Sequence, residues 1–96
     1  MSMPVGNQDR EQRRRRCLFR ATHRGTKEMD WLLGRYAEAT LLSAGNIDLA
    51  LWERIVEFPD PELHDWIMGH AVSGDAAIAG IVAAIRAHHG MTQSGT

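Results

Sequence analysis

Apolar residues recur at helical spacing along nearly the whole chain, and no stretch alternates with period two over the length of a strand. Between residues 10 and 23, Cys17, Leu18 and Ala21 form an apolar edge among good helix formers, with Phe19 to one side. Met29, Leu32, Leu33, Tyr36, Ala37 and Leu41 then follow the i, i+3, i+4, i+7 pattern, which predicts a second helix over 26–42 with Asp30, Arg35 and Glu38 off its stripe. The run "SAGN" breaks the chain. Asn46 is the expected N-cap of a third helix carrying Ile47, Leu51, Trp52, Ile55 and Val56. Pro59 stops that helix, and Asp60 is expected to cap a fourth with Pro61 at its first position, where no amide hydrogen is wasted. Leu63, Trp66, Ile67 and His70 would share its inner face. Ile78, Ile81, Val82 and Ile85 predict a fifth helix closed by Gly90. The pattern therefore predicts an all-α protein: a compact five-helix bundle over residues 10–90, flanked by a flexible segment 1–9 and a frayed tail 91–96.

Length changes the functional picture. A chain of 96 residues is one domain, too small to enclose a substrate cavity together with the shell that would rigidify it. A binding or adaptor role is expected ahead of catalysis. The single cysteine, Cys17, rules out an intramolecular disulfide and suits a reducing compartment, while the longest apolar run, Ile78 to Ile85, is too short to span a membrane. A cytoplasmic protein without membrane insertion is expected.

The formal net charge of −1 hides an asymmetry. Residues 1–27 hold eight basic side chains against two acidic, a net of +6, whereas residues 28–96 hold three against ten, a net of −7. A basic end joined to an acidic body can be steered onto a partner of complementary field. Nucleic acid is not expected as that partner, because the four successive arginines Arg13 to Arg16 circle a helix and no aromatic platform interleaves them. His64 and His70 are six residues apart and do not share a helical face, so no metal is expected either. Trp31 falls off the second helix's stripe, where it would cover a neighbouring helix or anchor an interface.

One stretch concentrates charge and glycine: "HRGTKEMDWLLG", residues 23–34, at the joint between the first two helices. Gly25 permits a backbone conformation or a close approach that a side chain would forbid, and Glu28 in the first turn can complement the helix N-terminus or bond back to a free amide. Capping of this kind accounts for Gly25 and Glu28. It does not account for Arg24, a cation that gains nothing beside a positive helix end.

Arg24-Gly25-Thr26-Lys27-Glu28 resembles the Arg-Gly-x-x-Glu motif of the SdhE family, small assembly factors (flavinators) that promote covalent flavin attachment to succinate dehydrogenase. The longer stretches "RCLFRATHRGTKEMDWLLGRYA" and "EFPDPELHDWIMG" are similar to the family's first two helices and to its Asp-Pro-x-Leu-x-x-Trp segment, in the same order and spacing. Thr26 departs from the pattern, since many members carry Met there. The resemblance implies a non-enzymatic chaperone that holds no cofactor of its own and binds the flavoprotein subunit of succinate dehydrogenase, or in some bacteria that of fumarate reductase. There it would promote bonding of a subunit histidine to the 8α-methyl carbon of FAD by favouring the reactive arrangement. It implies Arg24, Gly25 and Glu28 as partner-binding residues, with Arg16 and Asp30 behind them. Two other classes stay open: another protein-binding module, such as an antitoxin-like partner of a membrane toxin, and a small flavin-binding enzyme, for which neither pocket residues nor a dinucleotide motif is visible.

Overall fold

A computed structural model describes residues 5–43 and 47–91 and shows five helices: α1 (Val5–Thr22), α2 (Lys27–Leu41), α3 (Leu49–Ile55), α4 (Asp60–Ile67) and α5 (Ala76–His88). No strand occurs among the described residues. The apolar stripes meet in one core, in which Cys17 and Ala21 of α1 join the α2 stripe, Trp52 and Ile55 of α3, Leu63 and Ile67 of α4, and Ile78, Val82 and Ile85 of α5. Helix α1 lies mainly along α2, and α5 packs on α4, α2 and α3. The α1–α2 pair is close because Gly34 faces α1: a Cβ there would stand 3.2–3.3 Å from atoms of Thr22 and Ala21.

Several boundaries differ from the sequence expectation, each for a local reason. Helix α1 starts at Val5, so residues 5–9 belong to it and not to a flexible leader. Asn46 lies outside the described residues; the side chain that caps α3 is Asp48, whose carboxylate accepts from the Leu51 amide at 3.0 Å. Asp60 is not the N-cap of α4. That place is held by Pro59, with Asp60 and Pro61 both inside the first turn, which leaves the Asp60 carboxylate free to turn towards α1. His70 is exposed beyond the end of α4, its Nδ1 3.6 Å from Asp65, and does not share the inner face. The end of α5 is held as well: His89 Nε2 lies 2.8 Å from the Leu32 carbonyl oxygen, Gly90 takes φ +74°, and Met91 packs against the core.

Asp75 caps α5, accepting from the Ala77 and Ile78 amides at 2.9 and 3.2 Å. Its bond from Arg54, followed by these amides, holds its carboxyl below the ordinary value. On the far side Arg13 forks onto Glu53 at 2.8 and 2.7 Å, tying α1 to α3, lowering the Glu53 carboxyl and raising the arginine. Burial pushes the Cys17 thiol up, as its inner position requires.

Candidate functional site

The joint between α1 and α2 is fastened to the α3–α4 turn by Arg24. Its Nε donates to Asp60 Oδ1 at 2.7 Å, Nη2 to the Phe58 carbonyl at 2.7 Å, and Nη1 to the carbonyls of Val56 and Arg20 at 3.1 and 3.3 Å. Val56 and Arg20 lie where α3 and α1 end, so their carbonyls have no successor amide in the helix to accept from. A planar guanidinium with donors on three nitrogens can serve all of these acceptors at once, which an ammonium cannot. The Arg24 side chain is only 8% exposed. The cation that capping leaves unexplained is accounted for here: Arg24 turns back under the joint and is internally bonded.

Two further contacts lock the same turn. Asp60 uses its second oxygen, Oδ2, to accept from the Gly25 amide at 2.8 Å, and Asp30, one turn into α2, accepts from the Arg24 amide. Asp30 thus serves the joint from within. Gly25 is not in the left-handed region, so the close-approach explanation is the one that applies: a Cβ would sit 3.0 Å from Asp60 Oδ2. Thr26 caps α2, its Oγ1 accepting from the Met29 amide at 3.1 Å. With the cap supplied by Thr26, the Glu28 carboxylate points away from the backbone; its side chain is 57% exposed and Oε1 lies 3.3 Å from His64 Nε2 on α4.

The residues singled out from the sequence thus fall into three groups. Arg24 and Asp30 build the joint, Gly25 and Glu28 are its exposed face, and Arg16 stands apart on the exposed side of α1, over a depression shared with Arg20, Glu53 and Glu57. Asp60, Thr26 and His64 were not singled out as site residues. A Thr just ahead of the α2 stripe is a cap signal, but nothing in sequence links Asp60 to Arg24 across 36 positions. The expected basic end also changes character. Arg13 and Arg20 pair with Glu53 and Glu57, and Arg10 and Arg14 donate to the carbonyls of Ile47 and Leu41, so much of the +6 segment is spent holding α1 to the body.

Around Gly25 the surface dips on both sides. One groove, about 450 Å³, runs between α2 and α4 along Gly25, Thr26, Glu28, Pro61, His64 and Asp65; another of similar size lies between α1 and the α3–α4 turn, bordered by Phe19, His23, Val56, Phe58 and Pro59. Neither is enclosed. No group of three or more His, Cys, Asp or Glu side chains converges among the described residues, and none of their helices is long and apolar enough to cross a membrane.

Fold and site define a small helical module that offers a pre-shaped surface. Residues 15–89 match the family described as flavinator of succinate dehydrogenase, and the chain belongs to that family. Among relatives named FAD assembly factor SdhE, the protein of Acetobacter pasteurianus is 51% identical over 57 residues, covering 59% of this chain and 52% of that protein. The Shewanella oneidensis protein is 35% identical over 66 residues, 69% of this chain and 80% of its own length, and a Xylella fastidiosa protein is 32% identical over 66 residues, 69% and 68%. The match thus spans about half the length of the Acetobacter relative. No solved structure gives a significant match.

Proposed function

We propose that this chain is a FAD assembly factor that binds the flavoprotein subunit of succinate dehydrogenase and promotes its covalent flavinylation. The observation that carries this reading is the division of labour within the motif. Arg24 is consumed in shaping the joint, while Gly25 and Glu28 are left exposed on it between two open grooves. A capping role would have turned the glutamate inward; Thr26 already does that work. An exposed carboxylate on a helix turn, beside a glycine whose amide is held by Asp60, suits a charge-assisted protein contact.

The mechanism follows from binding alone. The flavin bond forms within the partner, and its rate depends on how the subunit holds its own histidine and flavin relative to one another. A rigid helical surface that binds the reactive arrangement of the subunit more tightly than others raises its population by the ratio of the two affinities. Gly25 and Glu28 make the contact, with Arg24 and Asp30 positioning them and Arg16 extending it along α1. The flavoprotein subunit of fumarate reductase is a second client of the same kind. Affinity capture with the tagged full chain, from cells in which the dehydrogenase is being assembled, tests the reading. Recovery of the flavoprotein subunit is expected; recovery of a membrane toxin without it would contradict the assembly role.

A further inference from the structure

Beside the joint stands a large apolar side chain that the core does not use. Phe19, the only aromatic residue of α1, is 60% exposed. Its ring stacks on His23, with centroids 4.0 Å apart and planes inclined by 19°. His23 is held in turn: Nδ1 lies 2.9 Å from the Phe19 carbonyl oxygen and 3.1 Å from Thr22 Oγ1. Single exposed apolar residues are ordinary on protein surfaces, and Leu42 and Val72 are two more. Three features set Phe19 apart. Its ring already packs face to face on His23, a contact that lowers the cost of ordering it on binding. It borders the groove that leads to Gly25 through Val56 and Phe58. Arg16, exposed and three residues earlier, lies on the same face of α1.

We propose that the Phe19–His23 stack is an aromatic anchor that seats the chain on the flavoprotein subunit, entering an apolar recess of that subunit whose rim carries a carboxylate facing Arg16. The inference rests on the assembly-factor reading and names the partner surface it requires. Continuity favours this occupant, since the stack and the exposed Gly25–Glu28 turn adjoin and one partner surface can cover both. Buried aromatic anchors of this kind dominate the energetics of protein interfaces.

Titration of the purified flavoprotein subunit with the full chain tests the anchor. Phe19→Ala is expected to weaken the complex at least tenfold with an unchanged melting temperature, because the ring lies outside the core. Phe19→Tyr is expected to bind within threefold of wild type, and Leu42→Ala, an equally exposed control, to match wild type. A loss below tenfold in Phe19→Ala, or an equal loss in Leu42→Ala, overturns the anchor. Self-association of the free chain that Phe19→Ala abolishes also overturns it, by assigning the ring to a homodimer. If the wild-type chain does not bind, the assembly-factor reading itself fails and the anchor with it; normal binding by wild type and Phe19→Ala alike removes the anchor only.

Discussion

Arg24 and Asp60, 36 positions apart, meet with Nε and Oδ1 2.7 Å apart and with only 8% and 20% of their side chains exposed. Through this pair the α1–α2 joint and the α3–α4 turn become one rigid feature. Asp60 bonds the guanidinium with one oxygen and the Gly25 amide with the other, so the position of the exposed glycine depends on a residue of α4.

Arg24→Ala is therefore expected to destabilise the protein by about 2–4 kcal/mol, since it leaves Asp60 in a mostly buried place without its cation and strips donors from the carbonyls of Val56 and Phe58. Arg24→Lys should recover only part of that, because an ammonium cannot reach acceptors in several directions in one plane. Denaturant unfolding measures both. A loss under about 0.5 kcal/mol for Arg24→Ala, the size of an ordinary surface change, would contradict the bonded role.

Thr26→Ala removes the N-cap of α2 and should cost about 1 kcal/mol. Thr26→Ser, which keeps the hydroxyl, should restore nearly all of it. The pair of midpoints in urea distinguishes a cap from a contact of the threonine methyl.

Acid should weaken the fold through Asp75 and Glu53. Both carboxyls are held below their ordinary values by arginine partners, so near pH 4 the unfolded chain binds more protons than the folded one. Their stabilisation is complete above the unfolded values and disappears as pH falls through the folded ones. Melting temperature should accordingly drop on acidification below about pH 4, and less steeply in Asp75→Asn, which keeps a capping oxygen and loses the titrating charge. An equal slope in the variant would contradict the assignment.

Helix content and core were legible because each stripe is a local, periodic property: Leu32, Leu33, Ala37 and Leu41 are buried where spacing put them. Gly90 and its left-handed turn were readable for the same reason. Asp60 was misread because a "PDPEL" segment satisfies the local rule for a cap, while the acceptor role it performs arises only when α1 and α4 come together. Arg24 was left unexplained for the complementary reason. Its guanidinium finds only the Arg20 carbonyl among its neighbours in sequence, and its other acceptors are 32 to 36 positions away. The motif was visible as a motif; which of its members face outward was a tertiary fact. Trp31 shows a mixed outcome, half exposed and yet leaning on His89 at 4.3 Å.

Glu28 separates fold from function most cleanly, since its carboxylate is exposed, caps nothing among the described residues and lies beside His64. The decisive measurement is in-gel flavin fluorescence of the flavoprotein subunit in a strain deleted for this gene and complemented with Glu28→Ala. The variant should accumulate, melt within a few degrees of wild type, and fail to restore covalent flavin. Full restoration by Glu28→Ala would contradict the claim that this turn is the surface the partner reads.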